Sequence, residues 1–137
     1  MLALTGLNTV APLVGLVAGA ALQYIFGRTL EARKQLALQR GQAYADYFRS
    51  MSASATLGVT KETLSLATDA KTRICIYGSP NVVRRLADFE RAGAVVAPGE
   101  GHAAVIGLLK AMRKDVGVDG APIGDDDLRH AVFGPSI

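Results

Sequence analysis

The sequence has no tryptophan, one cysteine, two histidines, and no charged side chain before Arg28. Each scarcity excludes something. Cys75, being alone, cannot close an internal disulfide, which fits a reducing compartment. With four tyrosines and four phenylalanines as the only aromatics, a base-stacking surface is hard to build, so no nucleic acid is expected as a partner. Neither His102 nor His130 has a partner at the spacing a metal site needs. Asp125, Asp126 and Asp127 point in different directions around a helix start and make no cage. They are better explained by attraction to the helix N-terminus. Acid, base, nucleophile and metal candidates never converge, so no catalytic residue, metal or cofactor is assigned, and the chain is not expected to be an enzyme.

What is present begins with the uncharged leader, residues 1–27. Residues 10–27 would cover about 27 Å as a helix, close to the ~30 Å hydrocarbon thickness of a bilayer. They are expected to form a transmembrane helix, with residues 1–9 as a short extracytoplasmic end. Pro12 falls in the first turn, where its missing N–H breaks no helical bond. A cleaved signal peptide would carry a charged segment ahead of the apolar run, and there is none. A soluble core helix covered by a large partner is the other alternative.

Within this stretch Ala11, Gly15, Gly19, Gln23 and Gly27 recur every fourth residue and form one stripe. Small residues let helix backbones approach closely in lipid, and Gln23 on the same stripe can hydrogen-bond across the contact. The stripe is therefore the expected interface to a second copy or to another membrane protein subunit. After the span come Arg28, Arg33, Lys34 and Arg40 against Glu31 alone, a net +3. Basic residues stay on the cytoplasmic side, which places the N-terminus outside and the rest of the chain inside an inner membrane. The same four cations are expected to contact anionic lipid headgroups.

The expected fold class is all-α: the N-terminal span continues into a small antiparallel helical bundle over 28–117, followed by an acidic tail with a short helix over 118–137. The first bundle helix runs over 28–57, with Ala37, Gly41, Tyr44, Phe48, Met51 and Ala55 at the three-and-four spacing of one buried face. Gly27 is the expected place for a bend. Tyr44 and Tyr47 read as core residues; together with Arg49 they are also the candidate contacts for an anionic lipid or small molecule. Gly58 ends this helix and Thr60 caps the next, with Ala67, Ala70, Ile74 and Tyr77 inward. The β-prone run 73–77 could instead be a strand, but its helical spacing begins upstream. Gly78-Ser79-Pro80 supplies stop, cap and first-turn proline in succession. One glycine and one serine make a poor phosphate cradle, so the corner reads as a helix-to-helix turn. Residues 80–92 then present Val82, Val83, Leu86 and Phe89 inward. A further helix over 102–116 carries Val105, Ile106, Leu109, Met112 and Val116. His102 reads as an exposed polar residue, and Asp125 as the cap of a short last helix.

Two strings stand out: Ile74-Cys75-Ile76-Tyr77-Gly78-Ser79 with Val82-Val83, and Leu108 through Gly117 (LLKAMRKDVG). The layout I-x-I-Y-G-S-x-x-V-V followed by L-x-x-x-M-R-x-D-x-G resembles that of small bacterial membrane-anchored helical proteins of no known activity. The resemblance covers roughly residues 28–117 and implies a small helical module of bacterial source; it implies no reaction. The expected function is a non-catalytic single-pass membrane protein acting as an interaction or scaffold module. The alternatives are an accessory subunit of a larger membrane complex and an anionic-ligand binding module.

Overall fold

A computed structural model describes the backbone of residues 4–118 and 120–135, and the side chains of residues 14–118 and 120–135. Among the described residues there are five helices and no strand: α1 (Leu4–Leu57), α2 (Lys61–Tyr77), α3 (Pro80–Arg91), α4 (Glu100–Asp115) and α5 (Asp125–Phe133). The chain divides into two compact units, Met1–Gln35 and Leu36–Ile137.

In the first unit, residues 14–35 are exposed around the whole helix. Gly27 is helical. Among the described residues, no helix is long and apolar enough to cross a membrane. Among those residues the uncharged run from Val14 to Gly27 covers about 21 Å at the helical rise before Arg28 closes it. The side chains of residues 10–13 of the expected span lie outside the described residues.

The second unit is a helical bundle, and its boundaries follow local chemistry. α1 ends at Gly58, whose φ of 78° is left-handed and cheap only for glycine. α2 opens with a reciprocal cap: the Thr63 N–H donates to Thr60 Oγ1 (3.1 Å), and the Thr60 N–H donates to Thr63 Oγ1 (2.8 Å). Residues 73–77 are helical, because their side chains continue the α2 stripe rather than alternate. Pro80 occupies the first turn of α3. α4 begins at Glu100, a little before the expected start, because the loop ahead of it docks onto it: the His102 N–H donates to the Ala97 carbonyl at 2.9 Å. Gly124 rather than Asp125 is the residue before α5; Asp125 is its first helical residue, and its carboxylate pairs with Lys110 instead of capping.

The core joins α1 through α4. Ala43, Tyr44 and Tyr47 pack with Ala70 and Ile74, with Val82 and Leu86, and with Leu108, Ala111 and Met112. Full burial of an aliphatic side chain such as Ile74 or Leu108 stabilises by about 1.5–3 kcal/mol relative to leaving it in water. The buried face of α1 is wider than the expected one, which holds at Tyr44 and, partly buried, at Phe48 and Met51. Ala43, Tyr47 and Ser50 are buried and Ala55 is exposed; the tyrosines can face inward because each hydroxyl finds a carboxylate there. α5 is held by Leu128 and by Phe133, whose ring stacks on His102 with centroids 3.8 Å apart. His102 is thus half-buried packing rather than a free surface residue.

Candidate functional site

The two sequence strings meet at one side chain. Asp115, the last residue of α4, turns its carboxylate into the bundle, where 7 % of it is exposed. There it accepts from three elements. Arg40 of α1 donates through Nη1 to Oδ1 at 3.1 Å. The Tyr44 hydroxyl, one turn further along α1, donates to Oδ2. The backbone N–H of Ser79, at the α2–α3 corner, donates to the same oxygen at 3.1 Å. Arg40 also donates through Nε to the Tyr77 carbonyl at 2.5 Å, so the guanidinium ties down the unpaired end of α2 as well.

Gly78 is required by space rather than by backbone twist. Its φ is −69°, open to any residue. A Cβ there would stand 2.6 Å from the Ile74 carbonyl oxygen and 3.2 Å from the Tyr44 hydroxyl. The Tyr-Gly-Ser string is therefore the seat for Asp115 and Arg40. Burial, first, and then the hydrogen bond to Asp115 and that carboxylate's charge push the Tyr44 hydroxyl well above the ordinary tyrosine range.

A second node lies further along α1. The Tyr47 hydroxyl donates to Glu90 Oε1 at 3.0 Å, and Lys71 Nζ donates to Glu90 Oε2 at 2.9 Å, joining α1, α3 and α2. Tyr47 is raised like Tyr44, by burial first and then by the charge of Glu90 and the hydrogen bond to it. At the edge of the bundle, Arg73 links Asp46 of α1 to Asp69 of its own helix, both at 2.8 Å. The two carboxylates, the bond to Asp46 foremost, hold its guanidinium above the ordinary range. Among the described residues, no buried side-chain nitrogen or oxygen lacks a partner. Both carboxylate oxygens of Asp115 are engaged, and the grooves around Arg85, His102 and Phe89 do not reach it. Its chemistry is that of a clamp.

Each expected site residue can now be placed. Arg40, expected at the headgroups, is largely buried and committed to Asp115 and Tyr77, because a cation buried that far needs a counter-charge. Arg28, Arg33 and Lys34 are exposed in the first unit, with the Arg28 guanidinium 5.7 Å from the centre of the Tyr24 ring. Tyr44 and Tyr47 are buried and hydrogen-bonded within the core, whereas Arg49 lies at the surface paired with Asp46 at 3.1 Å. The three do not form one site. Gly15, Gly19 and Gly27 have open space where a Cβ would stand, and Gln23 on the same stripe is exposed; the side chain of Ala11 lies outside the described residues. Sequence reasoning missed Asp115 and Glu90. The signal for Asp115 was there: an acidic residue at the negative end of a helix, two before a glycine, has no local reason to be there.

Comparison with protein-family models, curated proteins and solved structures finds no match.

Proposed function

We propose that this chain is a non-catalytic, single-pass membrane protein whose helical bundle serves as an interaction or scaffold module on the cytoplasmic side of a bacterial inner membrane. One observation supports it above the rest. From Val14 to Phe26 the helix exposes Val14, Leu16, Val17, Leu22, Ile25 and Phe26, each more than half exposed, with no charge until Arg28. Apolar surface left in water costs about 25 cal/mol per Å², and a helix apolar all round is one that lipid or other apolar helices cover. In this reading residues 10–13 complete the span, and Arg28, Arg33 and Lys34 meet the headgroups. Open space at Gly15 and Gly19 supports close packing against a second helix, which also gives Gln23 a partner. That partner is a second copy or, in the alternative reading, a subunit of a larger membrane complex.

Three measurements test this. Carbonate-washed membranes should retain the full chain; recovery in the wash refutes the span. Cys75 is exposed, so an impermeant maleimide should label it only after the cells are opened, and labelling in intact cells refutes the orientation. Replacing Gly15 and Gly19 together with Leu should leave the chain in the membrane and dissociate the assembly seen by native mass spectrometry. An unchanged assembly refutes the small-residue face, and stoichiometric foreign subunits in the wild type favour the accessory-subunit reading.

A further inference from the structure

The bundle has a second feature that neither the span nor the Asp115 clamp uses: a groove of about 570 Å³ between α3, α4 and the segment leading to α5. Four cations line it, Arg85 from α3 and Lys110, Arg113 and Lys114 from α4. The only carboxylate among its described lining residues is Asp125, 2.6 Å from Lys110. Lys110, through its hydrogen bond first and its charge second, holds the Asp125 carboxyl below the ordinary range. Among the described residues, Arg85, Arg113 and Lys114 make no ion pair. Asn81, one turn before Arg85, adds an amide.

The floor is built from small residues, Ala103, Gly107 and Ala111. A Cβ on Gly107 would stand 3.0 Å from Arg85 Nη1, so the guanidinium lies close against α4 at that glycine. On the far side Val118, Pro122 and Ile123 give an apolar wall. The volume falls in the range of small-ligand sites. Clustered like charges repel one another unless an anion joins them. Arginines offer a planar fork to an oxyanion and lysines a movable point charge. Donors on α3 and α4 suit a tetrahedral dianion, with its three strong acceptor oxygens, better than a flat carboxylate.

We propose that this groove binds a phosphomonoester dianion, its phosphate against Arg85, Arg113 and Lys114 and its carbon skeleton against Val118 and Ile123. A soluble phosphorylated metabolite and a lipid headgroup share this chemistry. The proposal is independent of the membrane reading, since a soluble probe needs no bilayer.

The test is calorimetric titration of the full chain in neutral detergent with glycerol 3-phosphate, and with succinate as the carboxylate control. Saturable binding of the phosphate is expected, weakened about tenfold or more in Arg85→Gln and in Arg113→Gln, the scale of a lost charged hydrogen bond. Lys61→Gln on α2 should leave it unchanged. Asp125→Asn should tighten it several-fold by freeing Lys110, a direction that general loss of folding cannot produce. A second arm measures flotation with phosphatidylcholine vesicles carrying phosphatidic acid, a phosphomonoester, or phosphatidylglycerol, a phosphodiester. Capture by phosphatidic acid that Arg85→Gln abolishes assigns the groove to a headgroup; binding of glycerol 3-phosphate alone assigns it to a soluble ligand. The proposal is overturned if neither probe binds, if succinate binds as tightly, or if the arginine variants bind like the wild type.

Discussion

At the scale of single residues, Asp115 concentrates the most consequence. Its carboxylate serves a guanidinium, a phenol and a backbone N–H contributed by three elements. Removing one partner of such a set leaves the others without an acceptor, which costs more than the pair itself contributes. Asp115→Ala should therefore lower unfolding stability by about 3 kcal/mol, read as a lower urea midpoint at unchanged slope. Asp115→Asn keeps an acceptor for Tyr44 and Ser79 while losing the charge facing Arg40, and should cost less. Equal losses in the two variants would show that the charge carries the whole effect. The surface pairs around Arg73 and Lys110 differ in kind, because water screens them to about 0–1 kcal/mol each.

Among the elements, the two helix starts that look alike in sequence work differently. Thr60 and Ser79 both stand where a cap is expected, and both precede a helix. Thr60 accepts from the Thr63 N–H; the Ser79 side chain makes no cap hydrogen bond, and its backbone N–H goes to Asp115 instead. Thr60→Ala should lower the thermal midpoint in proportion to about 1 kcal/mol, with Thr60→Ser restoring it. Ser79→Ala should shift it by much less, because the Asp115 contact needs no hydroxyl. A large loss at Ser79 would mean that its side chain caps α3 after all. Helix positions were legible because glycine, proline and threonine punctuate the chain at Gly58, Thr60, Gly78, Pro80 and Gly117. The full width of the buried face of α1 was not, since Ser50 is polar enough to read as surface until the Tyr47 carbonyl is seen beside its hydroxyl.

For the molecule as a whole, two buried phenols couple stability to pH. Both Tyr44 and Tyr47 are raised by burial first, so the folded state prefers their neutral form more strongly than the unfolded chain does. A group raised on folding contributes in full below its unfolded value, about pH 10 for tyrosine, and loses that contribution as pH climbs past it. The bundle should hold its helicity up to about pH 10 and unfold at higher pH, with tyrosinate absorbance rising together with the loss of circular dichroism. Tyr47→Phe should make stability fall less steeply over that range. Phenolate absorbance that rises fully while helicity persists would show that the hydroxyls are open to water in the folded state.

What the sequence determined by itself was local: an uncharged leader ending at Arg28, the helices that follow it, and the corners between them. These depend on near-neighbour chemistry, on which residues cap, stop or pattern a helix over three or four positions. The tertiary structure alone decided that Arg40 turns inward to Asp115, that the Tyr44 and Tyr47 hydroxyls meet Asp115 and Glu90, and that Arg85 joins three α4 cations around one groove. Those outcomes need partners up to 75 residues apart in the chain, and no local pattern records which distant carboxylate or cation a folded helix will bring into reach.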